Sequence, residues 1–145
     1  MELRVAEHGS ALYQTSVDLR LRVLRWPLGL DFTSEELAAE ASDEHLVAVD
    51  DDRVIAVAVA TPLGDGVVKM RQVAVDPEWQ GKGVGKALVR FFEERAVANG
   101  FNKIVLSARE PAVQFYLPLG YSVEGEPFEE VTIPHRKMIK WLSAP

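Results

Sequence analysis

Residues 73–86 read Val73-Ala74-Val75-Asp76-Pro77-Glu78-Trp79-Gln80-Gly81-Lys82-Gly83-Val84-Gly85-Lys86, a run suited to holding an anion. A strand-like stretch enters a turn, and the turn enters a helix through three glycines. The first residues of a helix leave backbone N–H groups unpaired at the positive end of its dipole, so phosphates bind there readily. Glycine lets the backbone approach such a ligand without a Cβ in the way, and Lys82 and Lys86 add charge. A P-loop needs Gly-Lys followed by Ser or Thr, whereas Lys86 precedes Ala87 and Gln80 stands five residues before Gly85. A dinucleotide fingerprint needs a third glycine where Lys86 stands.

Gln80, Gly83 and Gly85 also spell Gln-x-x-Gly-x-Gly directly after a strand, which resembles the pyrophosphate-binding motif of GNAT-family N-acetyltransferases. A second segment, Ala112-Val113-Gln114-Phe115-Tyr116-Leu117-Pro118-Leu119-Gly120-Tyr121, is similar to that family's Ala-x-x-Phe-Tyr-x-x-x-Gly-Phe stretch, with Tyr121 in place of the commoner Phe. The resemblance covers residues 70–121 and implies acetyl-CoA as the acetyl donor and a primary amine as the acceptor. It implies that Gln80, Gly81, Lys82, Gly83, Val84, Gly85 and Lys86 form the pyrophosphate turn. It further implies that main-chain atoms of Val73, Ala74 and Val75 meet the pantetheine and thioester where the strand splays at a bulge. Tyr116 then falls near the sulfur, and a phenol of pKa about 10 can protonate a departing thiolate. Where many relatives carry asparagine, three residues before Ala112, this chain has Arg109. A catalytically silent acyl-CoA sensor or scaffold is the alternative reading.

Attack on the thioester requires a neutral amine, so something must accept its proton. Candidates are Glu129, Glu130 and His135, in the run Phe128-Glu129-Glu130-Val131-Thr132-Ile133-Pro134-His135 that resembles a subgroup of small bacterial acetyltransferases. His135 has the best-placed ordinary pKa, near 6.5. With no cysteine, the chain offers no thiol nucleophile, disulfide framework or thiolate metal site, and no Gly-x-Ser-x-Gly elbow occurs. His8 and His45 stand apart in the sequence without clustered partners, so no metal is expected. Trp26, Trp79 and Trp141 read as core or rim packing.

These groups need a scaffold. The chain has 145 residues, 48% hydrophobic and 26% charged, which suits a single domain over 1–145. A net charge of −6 argues against nucleic acid and mildly favours a cationic substrate. No leader or membrane span is read, so a cytoplasmic protein is expected. Strands are expected at residues 2–6, 45–49, 53–61, 67–75, 103–107, 121–123 and 133–141. Helices are expected at 11–24, 34–41, 83–99 and 111–117. The first helix shows Leu12, Val17, Leu21 and Leu24 as its apolar positions, with Asp18, Arg20 and Arg22 on other faces. Thr33 and Glu36 have capping-box spacing. The expected fold is α/β of α+β character: a mixed, mostly antiparallel sheet of six to seven strands flanked by about four helices, the GNAT fold. An apolar loop at 26–32, the second helix and the C-terminal run are the expected acceptor region. An exposed edge at the C-terminal strand would suit a homodimer.

Overall fold

The computed structural model describes residues 1–142. Eight strands lie in the order β1-β2-β3-β4-β5-β8-β6, with β7 pairing β8. They are β1 (Glu2–Ala6), β2 (Glu44–Asp50), β3 (Arg53–Gly64), β4 (Val67–Val75), β5 (Lys103–Arg109), β6 (Ser122–Val123), β7 (Phe128–Glu130) and β8 (Ile133–Trp141). The helices are α1 (Ala11–Arg20), α2 (Ser34–Ala39), α3 (Val84–Ala98) and the single turn α4 (Val113–Tyr116). Only the β4–β5 pair is parallel among the recorded registers, so the sheet is mixed and mostly antiparallel as expected. No helix of the described residues is long and apolar enough to cross a membrane. The chain forms two compact units, Met1–Thr61 with Gln72–Phe92, and Pro62–Arg71 with Glu93–Pro145.

In the first unit, β2 and β3 form a hairpin whose turn holds Asp51 and Asp52 at φ 47° and 61°. Two left-handed residues suit the right-handed twist of a two-stranded ribbon, and aspartate tolerates that region better than bulkier side chains. Residues 46–49 and 54–59 are buried without alternation, the pattern of a strand covered on both faces. Tyr13, Val17 and Leu19 of α1 pack with Val47, Val49, Val54 and Val57, while Leu12, Leu21 and Leu24 lie at the margin of this core. After Arg20 the helix continues as a π-helical stretch, Leu21–Arg25, which shifts the register of the side chains that follow. The Thr33–Glu36 capping box forms with both reciprocal bonds.

Arg20 overturns its sequence reading. Its side chain is fully buried and donates from both terminal nitrogens to Glu40, itself 5% exposed. Tyr13 Oη donates to Glu40 Oε1 at 2.9 Å, and His45 Nε2 donates to the Glu40 carbonyl at 3.0 Å. His8 and His45, read as isolated, are brought to a ring separation of 5.9 Å, with Tyr13 at 4.5 and 4.7 Å from them. His8 Nε2 donates to the Leu37 carbonyl at 2.9 Å, so each imidazole is fixed by a backbone acceptor. Phe32 takes the guanidinium of Arg20 at 4.7 Å and that of Arg25 at 4.4 Å on its ring.

Burial would raise the Glu40 carboxyl, but the bonds and charge of Arg20 outweigh it and hold the pKa below its usual value. Burial lowers the pKa of His45, and the partly opposing pull of Glu40 does not cancel it. Both groups therefore favour the folded state at neutral pH. Stability falls as pH drops through the ordinary histidine value of 6.5, where the unfolded chain binds a proton that folded His45 resists. It falls again below the ordinary carboxylate value of 4.5, as Glu40 is protonated. Melting temperatures measured from pH 8 to 4 should show both declines, and His45→Gln should flatten the first.

In the second unit, β4 and β5 run parallel through Val67–Lys103, Val68–Ile104 and Lys69–Val105. β8 lies antiparallel to β5 from Lys103–Trp141 to Arg109–His135, with β6 and β7 on its other side. β8 is thus an interior strand, which corrects its reading as an exposed edge and removes that support for a homodimer. The sequence reading also missed β7. Its turn holds Val131 and Thr132 at φ 53° and 61°, and neither residue type signals a left-handed turn. Trp141 is 65% exposed, with Lys103 Nζ 4.8 Å from its ring.

Candidate active site

The glycine-rich turn is anchored from its strand side. Asp76, 3% exposed, donates its N–H to the Ile55 carbonyl at 2.7 Å and accepts the Glu78 N–H on Oδ1 at 3.0 Å. Its Oδ2 faces Arg22 at 3.6 Å and Arg53 at 3.9 Å. Gln80 folds back, donating from Nε2 to the Val75 carbonyl at 3.1 Å. The sequence reading quoted Asp76 but gave it no role. Aspartate before proline at a strand end, with a free amide two residues on, was the available signal.

Gly81 and Gly83 adopt φ 76° and 82°, and a Cβ built on either would meet nothing within 4 Å. Their requirement for glycine is therefore conformational, and the space over them is open. Gly85, inside α3, has no positive φ. The first intrahelical bond runs from the Ala87 N–H to the Gly83 carbonyl at 3.1 Å, so the amides of Val84, Gly85 and Lys86 have no helical acceptor. Lys82 Nζ lies 5.4 Å from the Trp79 ring. These features make an anion cradle of backbone donors. Val84, Leu88 and Phe92 bury the face that seats the helix.

Upstream, Gln72 lies within β4 at φ 53°, a left-handed residue inside a strand. Such a residue re-aims the backbone that follows, here Val73, Ala74 and Val75. Gln72 Oε1 is buried without a hydrogen-bond partner. The recorded ladder to β5 includes no residue beyond Lys69.

Tyr116 lies at the end of α4, 6% exposed, edge-on to Phe115 at 4.9 Å and to Tyr121 at 5.5 Å. Its hydroxyl has no hydrogen-bond partner among the described residues. Burial pushes its pKa up to about 12, so the phenol stays protonated across the working range of proteins. Tyr121 is committed elsewhere, donating to Glu93 Oε2 at 2.8 Å.

Of the base candidates, His135 and Glu130 come together and Glu129 does not join them. His135 is 7% exposed, donates from Nδ1 to the Ile133 carbonyl at 2.7 Å, and places Nε2 3.8 Å from Glu130 Oε2. The Phe128 ring stacks on the imidazole at 5.9 Å. That tautomer leaves the Nε2 lone pair free to accept a proton, and Glu130 would stabilise the resulting cation. Glu129, one residue along β7, points to the opposite face. Arg109 pairs with His135 in the β5–β8 register, so both leave the sheet on one face.

Replacing Gly83 with Val should lower coenzyme A affinity at least tenfold by calorimetry, because a β-branched residue at φ 82° is strained and its branches enter the open approach. Gly83→Ala should fall between the two. Unchanged affinity in both would remove the turn from donor binding.

The model of the acetyltransferase (GNAT) family matches residues 11–121. The uncharacterized N-acetyltransferase YjcF of Bacillus subtilis is 31% identical over 102 residues, 70% of this chain and 72% of that protein. An acyl-CoA N-acyltransferase from Pseudomonas aeruginosa shares the fold at a TM-score of 0.82 and 20% identity, covering 96% of this chain and 98% of its own. An aminoglycoside 6'-N-acetyltransferase in complex with coenzyme A shares it at 0.83 and 20% identity, covering 100% and 99%. The anion cradle, the sheet around it and these matches lead to one conclusion: the chain belongs to the acetyltransferase (GNAT) family.

Proposed function

We propose that this protein transfers the acetyl group of acetyl-CoA to a primary amine by direct attack. The observation that carries this reading is the cradle itself: left-handed Gly81 and Gly83 under open space, followed by unpaired amides at the start of α3. In this reading the amides of residues 81–86 and the ammonium groups of Lys82 and Lys86 hold the donor's pyrophosphate. Main-chain groups of residues 73–75, re-aimed by Gln72, orient the pantetheine and polarise the thioester carbonyl.

The amine nitrogen attacks the carbonyl carbon, the C–N bond forms, and the C–S bond breaks. His135 Nε2, supported by Glu130, takes the amine's proton directly or through water. Tyr116 faces the departing sulfur. Its pKa of about 12 stands above an ordinary thiol's value of about 8.5. Its contribution is therefore a hydrogen bond to the developing thiolate rather than full loss of its own proton. No covalent enzyme intermediate is needed, in keeping with a chain that lacks cysteine.

The test is thiol release from acetyl-CoA across a panel of primary amines, read with a thiol-reactive dye. Amine-dependent release supports the reading. Tight coenzyme A binding with no release on any amine would instead make the protein a silent acyl-CoA sensor.

A further inference from the structure

The second unit has a hollow of about 440 Å³ that the proposed reaction does not use, lined in part by Lys69, Val105, Ser107 and Lys137. That volume lies within the range of roughly 300–1,000 Å³ found for small-molecule sites. The sheet register explains why polar groups converge there. Lys69 pairs with Val105, Ser107 lies two residues further along β5 on the same face, and Lys137 pairs with Ser107. The opposite face carries Val68, Ile104, Leu106 and Met138, all buried in the core. With strands about 4.8 Å apart, the Cα atoms of Lys69 and Lys137 stand on the order of 12 Å apart, and their flexible stems can bring both ammonium groups over Ser107.

The hollow has a built wall. Gly64, Asp65 and Gly66 all have positive φ, and the Asn102 N–H donates to the Gly66 carbonyl at 2.8 Å. The Asn102 side chain fills the place of a Gly66 Cβ, with Oδ1 at 2.9 Å from it, and the Leu142 N–H ties down the Asn102 carbonyl. The turn is thereby fixed against the start of β5.

The charge of the hollow runs against that of the chain. Three lysines, with Lys103 as the third, line it in a protein of net charge −6. Lys103 lies over Trp141, and Lys137 meets Glu124 at 3.0 Å in a half-exposed pair that a ligand can displace at small cost. Lys69 and Ser107 have no partner among the described residues. Asp65 is the one acidic residue in the lining, and it sits exposed. Leu63, Val67 and Val105 add apolar wall.

We propose that this hollow binds a small organic dianion, held between the ammonium groups of Lys69 and Lys137 with Ser107 donating a hydrogen bond, and with its carbon skeleton against Val67 and Val105. Charge-assisted bonds at both ends of a short apolar segment match the lining. The site rests on the second unit alone and does not depend on the proposed donor turn.

Succinate titrated into the ¹⁵N-labelled full-length chain tests this. We expect saturable amide shifts at Lys69, Val105, Ser107 and Lys137, and no response to succinamide, which has the same skeleton without charge. The double variant Lys69→Ala/Lys137→Ala should weaken binding at least tenfold and leave the melting temperature unchanged, since neither side chain is in the core. Shifts confined to residues 81–86 would assign the binding to the glycine turn and overturn the proposal. Equal binding of succinamide, linear non-saturating shifts or full binding by the double variant would also overturn it. So would a sedimentation result in which the double variant converts a dimer to a monomer, because a second copy would then occupy this face.

Discussion

Glu40→Gln should destabilise the protein by about 3–5 kcal/mol, the usual cost of leaving one member of a buried ion pair without its partner. Arg20 has no exposed surface, and both of its terminal nitrogens donate to Glu40. An amide offers one oxygen where the carboxylate offers two, and it carries no charge to offset the guanidinium. Tyr13 and one terminal nitrogen of Arg20 share Oε1 while the other nitrogen uses Oε2, so the amide can keep only one of these two acceptor positions and sets an N–H donor against a donor at the other. The pair should not, however, be a net source of stability of that size. Replacing both residues together, as Arg20→Met/Glu40→Leu, should recover most of the loss, because neither charge then has to be desolvated. Urea denaturation of Glu40→Gln and of the double variant checks this. If the double variant is as unstable as Glu40→Gln, the loss comes from packing around Phe32 and Tyr13 rather than from an orphaned charge.

Tyr116→Phe should lower kcat about 100-fold, at the lower end of the range for a group that meets a proton or a developing charge in the transition state. KM for acetyl-CoA should change less than twofold, since an interaction made mainly with the departing sulfur acts on the transition state. Stability should hold. The hydroxyl has no hydrogen-bond partner among the described residues, so its removal orphans no other group. The pH profile supplies a second check. With the Tyr116 pKa at about 12, its titration should cause no alkaline loss of activity below about pH 11. A rate that survives the substitution would assign stabilisation of the departing thiolate to water rather than to Tyr116.

The glycine turn was legible because its chemistry is local. Gln80, Gly81 and Gly83 are neighbours in the chain, and left-handed glycine, a folded-back glutamine and a helix start are all built within a few residues. The Thr33–Glu36 capping box was legible for the same reason. Arg20 was misread because its partner lies twenty residues away. A helical wheel places an arginine on the polar face, and nothing near it in sequence reveals that a carboxylate will meet it inside. Tyr13 and Leu19 were missed as core residues for a related reason, since the face that α1 buries is chosen by the strands it packs on. β7 was missed because its turn uses Val131 and Thr132, held left-handed by the β7–β8 ladder against their own preference.

The sequence by itself determined the family and the identity of the proposed donor turn, because binding phosphate with backbone amides demands particular residues at fixed short spacing. Only the tertiary structure decided which groups meet, Glu40 with Arg20 and Glu130 with His135, and which residues line one hollow, Lys69, Ser107 and Lys137 among them. Those meetings depend on strand register and helix packing. These are set by the burial of many apolar side chains at once, and no short run of residues records them.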